Sequence, residues 1–140
     1  MFWNKKKSFL SSIKIAGKPL SVWINAFLPP LLWAGVIFFF SSRSELPSAS
    51  YSSLDFIFKK MAHITVFSVL FIFMDRGFRV YSRNYSLRKH WYLPVFICFA
   101  YAMSDEMHQY FVPNRHQTFR DVGYDMLGVF TMYLYKTDRI

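Results

Sequence analysis

Six ionisable side chains lie where a charge costs most, inside apolar segments or at their mouths. Asp105, Glu106, Asp121 and Asp125 are four of the chain's eight Asp and Glu residues, and Lys60 and His63 open a third apolar segment. A charge near the middle of a bilayer costs at least about 2.5–3.5 kcal/mol, so such residues face a protein interior and mark a site. Asp105 and Glu106 are candidates for a catalytic general acid or base, with His63 as a proton shuttle. Lys60, Gln109, Arg115, Asp121 and Asp125 are the candidate ligand-binding residues around them. Asp105 and Gln109 are spaced i,i+4 and share a helix face, as do Asp121 and Asp125 one turn apart, and Lys60 and His63 at i,i+3. The planar fork of Arg115 suits a lipid phosphate or pyrophosphate.

Each of these residues also has a plainer account. Asp105 can be charge-paired to His63 or an Arg, simply holding a bundle together. Asp121 can cap a helix, where its charge meets the dipole favourably. Lys60 can snorkel to the interface. Arg115, His116 and Arg120 can anchor an interfacial loop, and His90 and His108 fit a surface. Spacing alone leaves both accounts open. Neither an HExxH motif nor a paired-His spacing occurs, so no metal site is expected. The chain has no GxSxG, no Cys–His pair and no Gly-rich phosphate loop, so neither a standard nucleophile nor a cofactor is expected. The lone Cys98 excludes an intrachain disulfide.

The elements that position these residues follow from composition. At 140 residues the chain is a single domain, 54% apolar and 21% aromatic. A soluble domain of this size buries only part of that surface, so lipid is the better solvent. The net charge of +9 suits either nucleic acid or anionic lipid. Basic residues that flank apolar segments select lipid and exclude nucleic acid as partner. A cleaved leader is not expected, because the SELPSAS stretch lies too far from the N-terminus for a signal peptide.

Four apolar spans are expected: Ser21–Phe40, Phe56–Met74, Trp91–Val112 and Phe119–Tyr135. Residues 1–20 form a basic N-terminal segment, read as a short interfacial helix. Pro29 and Pro30 should kink the first span or break it in two. RGFRVYSRNYSLRKH reads as a basic connection. The last three spans reach the ~20 residues a crossing needs only by including their polar motifs. Lys and Arg fall twelve on one side and five on the other, which puts both termini in the cytoplasm. The fold class is therefore all-α, a polytopic membrane protein with four transmembrane helices in a small bundle.

Depth then brings the polar residues together. At ~1.5 Å rise per residue, His63, Asp105 and Asp121 all lie about 20–22 Å above the inner ends of their spans, and Asp125 about 16 Å. They share one layer in the outer half of a ~30 Å hydrocarbon core. Gly128 continues the Asp121 and Asp125 stripe, and a small residue there lets helices pack closely.

FFSSRSELP, KKMAH, SDEMHQYFVPNR and RDVGYDMLG together resemble the VanZ-like family, over about Phe38 to Val129. The resemblance implies a small multi-pass protein of the bacterial plasma membrane, with a cell-envelope role and a link to teicoplanin-type glycopeptide resistance. Two positions depart from the family's pattern: Asn114 stands where Gly usually follows the Pro, and Asp125 where Asn is usual. The leading expectation is a cell-envelope factor binding membrane lipid, a lipid-linked wall precursor or a glycopeptide's lipid-facing target. A membrane-embedded hydrolase or group transferase acting on an outer-leaflet lipid is the alternative. A small proton-linked carrier ranks last, because four short helices without an inverted repeat leave little room for alternating access.

Overall fold

The computed structural model describes residues 13–43, 52–113 and 119–140. They form a two-stranded hairpin, β1 (Lys14–Ile15) and β2 (Lys18–Pro19), followed by five helices. These are α1 (Leu20–Ser41), α2 (Ser52–Tyr81), the one-turn α3 (Leu87–His90), α4 (Tyr92–Gln109) and α5 (Phe119–Lys136). Helix α2 is central and packs on α1, α4 and α5, while α4 also packs on α5. Long helices thus occupy all four expected positions.

The N-terminal segment differs from expectation. Lys14–Pro19 is an antiparallel hairpin, not an interfacial helix. Ala16 and Gly17 both have positive φ, 49° and 76°, the backbone that tight hairpin turns require and helices forbid. Residues 1–12 lie outside the described part.

Helix α1 runs through Pro29 and Pro30 without a break. Proline has no N–H, so each leaves the carbonyl four residues earlier without its helical donor. For Pro29 that carbonyl is Asn25, and Arg76 of α2 supplies a replacement: Nη1 donates to the Asn25 carbonyl at 2.9 Å and Nη2 to its side-chain oxygen at 2.9 Å. For Pro30 the carbonyl is Ala26, which lies against Gly77 of α2. A Cβ on Gly77 would come 2.5 Å from that oxygen, so only glycine admits the approach. Helix α2 therefore supplies a donor to the Asn25 carbonyl and packs closely over that of Ala26.

Helix α2 also outruns its expected end at Met74. Arg76–Tyr81, read as the start of a basic connection, continue the helix. The fully buried Asp75 accounts for this. It accepts hydrogen bonds from Arg79 Nε at 3.0 Å and Lys136 Nζ at 2.6 Å, tying α2 to the end of α5. Nearby, the Tyr85 phenol is pushed above its usual pKa, first by burial and then by the Asp75 charge. Arg88 of α3 donates to the Thr137 carbonyl at 3.0 Å, at the end of α5 where a cation meets the helix dipole favourably.

The core lies along α2. Phe67 and Phe71 are completely buried against Cys98 and Ala102 of α4 and Val129 of α5. Gly128 is the second close approach: a Cβ there would meet Ser68 Oγ at 2.9 Å and would collide with the Ile64 carbonyl. Trp33 donates across to the Val66 carbonyl at 2.8 Å, and Tyr101 to the Ala34 carbonyl at 2.6 Å. The polar tips of these two rings are thus satisfied between helices.

Two helices are long and apolar enough to cross a membrane: Leu20–Ser41 and the Phe56–Tyr81 part of α2. Only 17% of each apolar window is buried inside the protein, whereas a core helix of a soluble protein is mostly buried. Leu31, Leu32, Phe38, Phe39 and Phe40 all point outward from α1, as they do where lipid is the solvent. Helices α4 and α5 have 18 residues each, and their acidic residues keep them short of the same apolarity.

Candidate functional site

Helices α2 and α5 run parallel, with α4 antiparallel to both, and this brings the start of α2, the end of α4 and the start of α5 to one end of the bundle. Every predicted site residue in the described part is there. His63 Nδ1 and Asp125 Oδ1 are 2.8 Å apart. Lys60 Nζ donates to Asp121 Oδ1. Its ammonium also lies 5.2 Å from the Phe56 ring centre and 5.3 Å from that of Tyr124. Lys60 is thus held as an ion pair between two aromatic rings and does not simply extend to the interface. Gln109 Nε2 donates to Asp105 Oδ2 at 2.9 Å, across one turn of α4. Arg115 and His116 lie outside the described residues.

Local sequence explains the placement. On α2 the three-residue step from Lys60 to His63 keeps both on the face toward α5. On α5 the four-residue steps Asp121, Asp125 and Val129 lay two carboxylates over the core stripe, and all three are buried. Gly128, beside them, lets α5 sit close enough to α2 for the pairs Lys60–Asp121 and His63–Asp125 to form at successive turns. Asp105, Glu106 and Gln109 are the buried residues at the end of α4.

The acceptors outnumber their donors. Asp105 Oδ1, Asp125 Oδ2 and both Glu106 oxygens are buried and have no hydrogen-bond partner among the described residues. Buried polar groups are normally paired, and an unpaired one costs about 1–3 kcal/mol. One ligand atom each of His63, Glu106 and Asp125 lie within 4.8 Å of one another, a grouping that motif spacing missed because three helices supply it. With Asp125 ionised, His63 Nδ1–H donates to it and Nε2 is left as the ring's base.

The pairing corrects one expectation. His63 meets Asp125, not Asp105, so the aspartate at the departing position becomes the partner of the histidine. Three further residues at this end were not singled out as site residues. Ser42 Oγ lies 3.0 Å from His108 Nε2, and the His108 ring packs at a tilt against Phe38 with 4.4 Å between ring centres, joining α1 to α4. Ser41 is buried and its hydroxyl has no partner among the described residues. Its sequence signal was a serine pair closing an apolar run.

Fold and site define a helical membrane protein with a carboxylate-rich polar cluster at one end of its bundle. The chain belongs to the VanZ/LLP1 family, whose profile matches residues 26–137. No curated protein and no solved structure gives a significant match.

Proposed function

We propose that the chain is a four-span protein of the bacterial plasma membrane, with both termini cytoplasmic. Its polar cluster opens toward the outer face and binds the headgroup of a lipid-linked cell-wall component. Through that binding it influences susceptibility to teicoplanin-type glycopeptides. The observation that carries this reading is the set of four buried carboxylate oxygens on Asp105, Glu106 and Asp125 that have no partner among the described residues. Unfilled acceptors select a ligand rich in donors, such as a headgroup bearing sugar hydroxyls and amides. Family membership supports the envelope role, and the Lys and Arg bias supports the orientation.

The direct test is mass spectrometry of lipids that co-purify with the detergent-extracted chain. A glycan-bearing lipid enriched over bulk phospholipid is the expected result. Bulk phospholipid alone would end the headgroup reading. A second reading, a hydrolase or group transferase, is favoured by the His63–Asp125 pair beside Glu106. In that case whole-membrane lipids from cells with and without the protein differ by a converted species.

Orientation is tested separately. With Cys98 removed, single cysteines at Ser50, Asn114 and Ser82 are exposed to a membrane-impermeant thiol reagent on intact cells. Labelling is expected at the first two only. Labelling at Ser82→Cys would invert the topology and turn the polar cluster toward the cytoplasm.

A further inference from the structure

We infer that His63, Glu106 and Asp125 form a binding site for one divalent cation of the zinc or manganese class. The inference rests on the headgroup reading only for what fills the cation's remaining position.

Three observations carry it. A donor nitrogen and two carboxylates from three different helices converge, with one ligand atom of each within 4.8 Å of the others. Glu106 is 95% buried, being 5% exposed, and neither of its oxygens has a partner among the described residues. Asp125 is fully buried and has one oxygen unpaired among them. Two buried carboxylates without a matching cation are costly, and buried charges are otherwise found paired or on metals. Lys60 does not serve them, because it is paired with Asp121. A divalent ion neutralises both carboxylates at once.

The geometry is close to what such an ion needs. Zinc bonds of ~2.0–2.1 Å put neighbouring ligand atoms roughly 3.3 Å apart in a tetrahedron. The 2.8 Å between His63 Nδ1 and Asp125 Oδ1 is already within that reach. The Glu106 ligand atom lies within 4.8 Å of the other two and would have to close on them. On binding, the ion takes the place of the proton between His63 and Asp125, and the imidazole, still neutral, carries that proton on Nε2 instead. One imidazole and two carboxylates suit zinc or manganese better than a softer ion. Three protein ligands leave a position open to an external oxygen, such as that of a headgroup phosphate, and the cation removes the repulsion the bare carboxylates would exert on an anion.

The test uses the full chain in detergent, with any affinity tag removed. The protein is stripped with chelator, reloaded with Zn²⁺ or Mn²⁺ alone, and dialysed. Close to one cation per chain is expected. Glu106→Gln is the informative variant, because the Glu106 carboxylate makes no hydrogen bond among the described residues that its loss would break. Its affinity is expected to fall about tenfold or more, as when a metal-site group is removed. His108→Ala, at the same end but outside the triad, should retain the ion. Wild-type protein that retains almost none, or a Glu106→Gln variant that retains as much as wild type, overturns the site. If Glu106→Gln does not fold, Co²⁺-loaded wild type decides. Intense visible absorption from a low-coordinate ion supports the site, and the faint spectrum of solvated Co²⁺ overturns it. Lipid retained without cation overturns this inference and leaves the headgroup reading standing. Cation retained without lipid supports this inference and overturns that reading.

Discussion

Lys136→Met is expected to destabilise the folded chain by about 3–5 kcal/mol, the usual cost of removing one partner from a buried ion pair. Asp75 is wholly inside the bundle and Lys136 reaches it at 2.6 Å. Without that ammonium the remaining cation on the carboxylate, among the described residues, is Arg79, whose side chain is 51% exposed. The second oxygen of Asp75 has no hydrogen-bond partner among them. Pairing Lys136→Met with Asp75→Leu should recover most of the loss, because the double variant strands no charge. Unfolding in detergent micelles with increasing denaturing detergent measures both. If the single variant stays within about 0.5 kcal/mol of wild type, as ordinary surface substitutions do, the carboxylate is solvated and the account of the α2–α5 join is wrong.

Asp125→Asn is expected to lower retention of the co-purified lipid about ten- to hundredfold. Hydrogen bonds to charged groups contribute about 1.5–3 kcal/mol, and this one orients His63. Volume and one acceptor are preserved, so folded yield should stay near normal. His63→Ala should produce a similar loss, and the double variant should be no worse than either single, because the two groups act as one unit. Independent, additive losses would show that they act separately. Full retention in both singles would make the polar end an architectural device.

Helix positions were readable because apolar runs mark them, and the height of each polar residue was readable because an α-helix rises evenly. Height says nothing about direction around the axis. His63 was therefore placed in the right layer, but its partner across the gap was not identifiable. Asp125 faces α2 because Gly128 brings α5 close, and a packing distance of that kind has no signature in spacing. The end of α2 was misjudged for a different reason. Arg76 and Arg79 looked like the start of a connection, yet each has a partner that keeps the helix going, Asn25 for one and Asp75 for the other. The hairpin was missed because a positive φ at Ala16 is unusual for a residue with a Cβ, although Gly17 beside it was a turn signal.

The two prolines of α1 bear on how the chain enters the bilayer. Taken alone, α1 carries two carbonyls that lack their helical donors. For Asn25 the replacement lies about fifty residues later in the chain, at Arg76. During synthesis, α1 reaches the membrane well before that replacement has been made. Only once α2 has been made can Arg76 close on the Asn25 carbonyl and complete the helical pair. The Asn25–Arg76 bond is in this sense a timing device, coupling the commitment of the first helix to the arrival of the second.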